Sequence, residues 1–116
     1  MLYLPYNEIH ELALIYLNFE ILSKGYKTIY LGQSIPLENL VEFSNYFENT
    51  IFLSYWSVFP EVEQQTAYIE KFQTDVISDS KSELWIIGKM TKFIDRKKLN
   101  HKTLAFSNIQ ELLNKL

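Results

Sequence analysis

The chain has 116 residues, 47% of them hydrophobic and 16% aromatic, with a net charge of −3 and no cysteine. That suits one domain, long enough to bury roughly two-thirds of its unfolded surface and too apolar to remain disordered. The absent cysteine excludes disulfides, thiolate metal sites and a cysteine nucleophile, and the acidic balance argues against gripping a phosphate backbone.

In chain order, Leu2 to Leu4 is a short apolar run stopped by Pro5, which predicts a first strand. Asn7 is placed to cap a helix carrying Ile9, Leu12, Ala13, Tyr16, Leu17, Ile21 and Leu22, closed by Ser23, Lys24 and Gly25. Apolar residues most of the way round predict a buried helix, with Tyr16 and Phe19 in the core. Tyr26 to Gly32, β-branched and aromatic, predicts a second strand ended by its glycine. Ser34 and Pro36 open a second helix over Leu37 to Phe47. Thr50 to Ser54 is continuously apolar, the pattern of a strand covered on both faces. A more polar helix follows Pro60 to about Ile77, then a fourth strand from Glu83 to Gly88. Thr91 to Lys98 is a short basic segment, Lys102 to Ser107 a fifth strand, and Ser107 is placed to cap a last helix over Asn108 to Leu116.

This alternation predicts an α/β fold: three layers, Rossmann- or flavodoxin-like, with a five-stranded parallel sheet and helices on both faces. Ligands in such folds sit at the carboxyl ends of the strands. Those loops are Pro5 to Ile9, Gly32 to Ile35, Ser54 to Pro60, Gly88 to Lys92 and Ser107, and His10 stands beside the first of them. No apolar run reaches membrane-spanning length, since Asn18 and Glu20 break the longest, and no basic leader precedes Leu2. The expectation is one cytoplasmic domain over residues 1–116, without membrane or direct nucleic-acid contact.

Several chemistries are poorly supported. There is no G-x-G-x-x-G after the first strand, no Walker loop and no G-x-S-x-G elbow. The third strand ends in Ser54 where a phosphoacceptor would need aspartate, and His10 to Leu14 (HELAL) lacks a zincin's second histidine. The chain is not expected to be an enzyme. What remains is Glu8-x-His10 on the first loop, Ser54 ending strand three and Gly88 ending strand four. His10 by itself reads equally as a helix-opening histidine, Ser54 as a strand-end serine and Gly88 as a turn glycine.

With these residues placed, the chain resembles the cobalamin-binding domains, whose first loop carries D/E-x-H-x-x-G, whose third strand ends in serine and whose fourth ends in Gly-Gly. "EIHELA" (Glu8 to Ala13) matches the first motif except that Ala13 replaces its glycine. "GYKTIYLGQSIPLENL" (Gly25 to Leu40) resembles the stretch that follows, and the two together look most like the C-terminal domains of MerR-type regulators that sense adenosylcobalamin. The resemblance implies that His10 is the lower axial ligand of cobalt, its tautomer set by Glu8 or Glu11. It also implies that the displaced nucleotide tail threads down between strands, with Ser54 bonding its base and Gly88 allowing close approach. Lys89 replaces the second glycine of the pair, and Tyr55, Trp56 and Phe59 crowd the start of that path.

Three readings follow. One is a ligand-sensing regulatory domain binding adenosylcobalamin or a related corrinoid through His10, with DNA binding and a helical cap carried elsewhere in a longer regulator. The second is the same domain with the cofactor lost, kept for self-association or contact with other domains, which Lys89 and Trp56 favour. The third, ranked last, is a corrinoid carrier for a methyltransferase or mutase, which would predict intact glycine motifs.

Overall fold

A computed structural model describes all residues, Met1–Leu116. Five strands, β1 (Leu2–Pro5), β2 (Tyr30–Ile35), β3 (Ile51–Tyr55), β4 (Glu83–Ile87) and β5 (Thr103–Phe106), pair in parallel in the order β2-β1-β3-β4-β5. The helices are α1 (Leu12–Ser23), α2 (Leu37–Ser44), α3 (Val62–Asp75) and α4 (Ile109–Lys115). Two short 3-10 turns, Lys89–Phe93 and Arg96–Lys98, replace a helix between β4 and β5. The α/β flavodoxin-like architecture read from the sequence is the one found.

Strand alternation sorts the core into two layers. Leu2, Leu4, Leu53, Trp85, Ile87 and Phe106 point to one face and pack with Leu14, Leu17 and Ile21 of α1 and Leu112 and Leu113 of α4. Tyr3, Phe52, Leu84, Ile86 and Ala105 point to the other and pack with Leu37 and Leu40 of α2 and Ile69 and Phe72 of α3. The register puts Tyr3, Ser54, Ile86 and Ala105 in one row across this second face. Strand order reverses between β1 and β3, so their carboxyl-end loops flank the point where this topology forms its crevice.

Several boundaries differ from expectation. Asn7 does not cap α1; it lies in a left-handed turn at φ 73°, and the helix begins at Leu12. The intervening amides of Ile9 and His10 are taken by the Glu8 carboxylate instead of joining a helical turn. β2 starts four residues late and runs through Gly32 to Ile35, because Gly32, at φ +90°, absorbs a register shift against β1 rather than ending the strand. Asn108, not Ser107, caps α4, accepting from the Glu111 amide at 2.8 Å.

The largest correction concerns α1. Only Leu14, Leu17 and Ile21 are buried. Leu12 is 82% exposed and Phe19 64%, with Ile15, Tyr16 and Leu22 about half exposed. A helix lying on one side of a sheet is covered on one stripe only, so apolar residues around its full circumference leave an uncovered apolar face.

Candidate functional site

The site grows from Glu8. It closes a tight turn, its amide donating to the Pro5 carbonyl at 2.9 Å; in that turn Asn7 donates its amide to Ser34 Oγ at 3.1 Å, and the Ser34 amide donates to the Glu8 carbonyl at 3.1 Å. This ties the first loop to the end of β2 and turns the Glu8 side chain inward, where it is fully buried. Its Oε1 accepts from the amides of Ser57 (2.9 Å), Val58 (2.6 Å) and Phe59 (3.2 Å), which belong to the loop after β3. Its Oε2 accepts from the amides of Ile9 (3.1 Å) and His10 (3.2 Å) and faces His10 Nδ1 at 2.8 Å. One carboxylate therefore joins the two loops across the strand-order reversal.

Burial by itself raises the carboxyl pKa of Glu8, but the hydrogen bonds from Val58, His10 and Phe59 outweigh it and hold the group below its ordinary value. The carboxylate is ionised at neutral pH and has no proton to donate. Nδ1 of His10 must then carry the hydrogen, which leaves Nε2 of the neutral ring with its lone pair free. The imidazole is 63% exposed and Nε2 has no partner in the chain. Tyr6, Ile9 and Leu12, close to His10 in the chain, and Val58, whose amide bonds Glu8, are exposed apolar side chains. The expected partnership of Glu8 and His10 is present. Glu11, the other candidate, instead accepts from the Tyr30 hydroxyl at 2.7 Å.

No group of three or more His, Asp or Glu side chains is placed to hold a metal ion. His10 offers one ring nitrogen as a ligand, with the Glu8 carboxylate behind it raising its basicity.

The other sequence-predicted residues come together around a different group. Ser54 is fully buried at the end of β3, and its Oγ accepts the indole N–H of Trp56 at 2.9 Å. Trp56 is also fully buried, packed edge-on against Tyr68 at 5.6 Å between ring centres. Its backbone is fastened at both polar atoms, the amide donating to Ile87 at 2.7 Å and the carbonyl accepting from Met90 at 3.0 Å. Gly88, at φ +126°, lies directly against that backbone. A methyl group there would come within 2.8 Å of the Trp56 nitrogen and 2.7 Å of its carbonyl carbon, and closer still to its oxygen. Lys89 is exposed to solvent, so the obstruction that the sequence assigned to it belongs to Trp56. The space between Ser54 and Gly88 is filled by Trp56 and does not fit a threaded nucleotide, while the other side of Gly88 borders an open crevice shared with Tyr55 and Lys89. Ala13 lies half-buried in the first turn of α1.

Sequence reasoning missed the amide cradle of Ser57 to Phe59, which no motif marks. It also missed the use Trp56 makes of Ser54, for which a signal existed. Residues two apart along extended chain share a face, and Trp85 repeats the pattern by donating to Glu83 at 3.0 Å.

No family model and no curated protein sequence matches this chain. Among solved structures it is similar to the monomethylamine corrinoid protein of Methanosarcina barkeri, with a TM-score of 0.75 and 14% sequence identity. The match covers 98% of this chain and 54% of that one, so the chain spans about half the length of the structure it resembles. The likeness is one of fold.

Proposed function

We propose that this chain is a cytoplasmic, non-catalytic regulatory domain that senses a corrinoid through His10, of the kind found at the C-terminus of MerR-type transcriptional regulators. The observation that carries the reading is the buried Glu8 carboxylate presenting an exposed imidazole with Nε2 unpartnered. A corrinoid would supply a cobalt whose equatorial positions its own ring already fills, which suits a site offering a single ligand. The fold shared with a corrinoid protein and the likeness of Glu8 to Ala13 and Gly25 to Leu40 to the regulator domains support the same reading. The exposed apolar side chains of Tyr6, Ile9, Leu12 and Val58 offer a macrocycle apolar surface at this end of the sheet.

The test is a visible absorption titration with corrinoids, run beside His10→Ala. We expect a bound, coloured protein that survives desalting, with a spectral shift that His10→Ala abolishes. A shift of equal size in the variant would overturn ligation by His10.

The uncovered face of α1 supports a second copy of this chain as partner. Leu12, Ile15, Tyr16, Phe19 and Leu22 are exposed there, and the one charged residue of the helix, Glu20, is partly buried beside Tyr16. A two-fold pairing would set this largely apolar stripe against itself. The face presents on the order of 600 Å², near the roughly 800 Å² that each partner gives to a standard interface. Phe19→Glu is expected to convert a dimer into a monomer in light scattering at micromolar concentration, with the melting curve of the monomer preserved. A wild-type chain that is monomeric at those concentrations refutes the pairing. If the chain dimerises and the corrinoid titration fails, a cofactor-free association module becomes the better reading, and this face is what favours it.

A further inference from the structure

Resting on the reading that His10 ligates a corrinoid, we infer that Trp56 is a resident substitute for the nucleotide base, so that the site selects corrinoids lacking that tail. Four observations converge. The Ser54 hydroxyl, which a threaded base would need, is engaged by the Trp56 indole at 2.9 Å. The indole is a fused bicyclic ring, as a benzimidazole is, and it is sealed from solvent. The close approach that Gly88 permits is used by the Trp56 main chain. Both backbone polar atoms of Trp56 are bonded to the end of β4 and the turn that follows it, so the loop cannot swing aside without breaking them.

The same layer is closed further down. Below Trp56, Tyr68 reaches the Tyr3 hydroxyl at 2.7 Å, and Phe72 packs against Tyr3 and Phe52. The row that begins at Ser54 therefore meets aromatic rings from β1 and α3 rather than a channel. None of this touches the outward face of His10. Nε2 stays accessible, and the exposed apolar side chains of Tyr6, Ile9, Leu12 and Val58 lie outside the filled layer. The ring-binding half of the site is open and the tail-binding half is shut. A ligand that needs only the first half, a cobinamide-class corrinoid, is accepted. One whose lower base must be displaced and buried against Ser54 finds that place taken by the Trp56 indole.

The experiment compares diaquacobinamide with hydroxocobalamin on the purified chain, His10→Ala and Trp56→Ala, by visible absorption. In the wild type, cobinamide is expected to give a His10-dependent shift at least about tenfold tighter than any such shift with hydroxocobalamin. Trp56→Ala is expected to gain hydroxocobalamin binding with the base displaced. A second, cobalt-free measurement uses free dimethylbenzimidazole at millimolar concentration. It should raise the melting temperature of Trp56→Ala, whose cavity it fills, and leave the wild type unmoved.

If wild type binds hydroxocobalamin as tightly as cobinamide, with its base displaced, Trp56 yields its place and this inference falls while His10 ligation stands. If neither corrinoid gives a His10-dependent shift, the ligation reading fails and this inference fails with it. Should Trp56→Ala not fold, the wild-type comparison decides by itself.

Discussion

Glu8→Gln is expected to lower stability by about 3–4 kcal/mol and to abolish the corrinoid shift even though His10 is untouched. The wild-type carboxylate accepts six hydrogen bonds across its two oxygens: three from Ser57, Val58 and Phe59, and three from Ile9 and His10. Glutamine has one acceptor oxygen and one donor nitrogen. Placed either way, its amide group faces main-chain N–H donors, leaving buried donors unpaired at about 1–3 kcal/mol each. A loss of that size is a large share of the ~5–15 kcal/mol that holds a domain together and should lower Tm by on the order of 10–20 °C. The second consequence is chemical. With its oxygen turned to the Ser57–Phe59 amides, glutamine presents N–H to Nδ1 of His10, which then favours the tautomer carrying hydrogen on Nε2. A protonated Nε2 is a donor and cannot ligate a metal. Thermal melting and the corrinoid titration check the two effects separately. A variant that melts within about 2 °C of wild type would remove Glu8 from its structural role.

The same residue sets an acid limit. Its carboxyl is held below the ordinary value of 4.5 in the folded chain. A depressed folded pKa contributes stability that is fully present above the unfolded value and lost as pH falls through the folded one. Wild type should therefore lose stability as pH drops below about 4.5, and Glu8→Gln, with no proton to take up, should lack that part of the slope.

The carboxylate's reach explains which parts of the chain were legible in its sequence. The sequence of strands and helices along the chain rests on local signals, apolar runs and Gly25 closing α1, and the partner of His10 was narrowed to Glu8 or Glu11 by the family motif. The cradle at Ser57 to Phe59 lies about fifty residues further on. Only the folded sheet brings it to Glu8, and backbone amides carry no residue type to read. The start of α1 was misplaced for the same reason. Asn7 has the chemistry of a cap, but the amides it would have organised are claimed by a carboxylate whose position is set by that distant loop. The exposure of Tyr16 and Phe19 was misread because apolarity records what a residue would bury against, and here the chain supplies cover for only one side of α1. Lys89 drew attention as the bulky replacement of a glycine. Trp56, two positions beyond Ser54, proved to be the residue in the way.

Gly88→Ala tests that arrangement directly. Gly88 sits at φ +126° and ψ 171°, a region essentially reserved for glycine, where another residue costs about 1–3 kcal/mol in backbone strain. The added methyl would also overlap the Trp56 backbone, with 2.8 Å to its nitrogen and 2.7 Å to its carbonyl carbon. Relief would require moving either main chain. Trp56 is bonded to Ile87 and Met90, and the Gly88 carbonyl accepts from the Thr91 amide at 3.1 Å and hydroxyl at 2.8 Å. Strain and overlap together should cost at least about 3 kcal/mol and lower the soluble yield sharply. Gly25→Ala is the internal control, because its φ is +93° but nothing lies within 4 Å of the added methyl. It should lose only about 1 kcal/mol. The contrast separates two roles that a strand-end glycine can have. Where glycine makes room for a ligand, alanine weakens binding and leaves the empty protein's melting temperature nearly unchanged. Where glycine makes room for the chain itself, alanine damages the fold whatever is bound. If Gly88→Ala melted like Gly25→Ala and lost only corrinoid affinity, the Trp56 loop would have to lie off Gly88 in solution, and the tail-binding half of the site would be open.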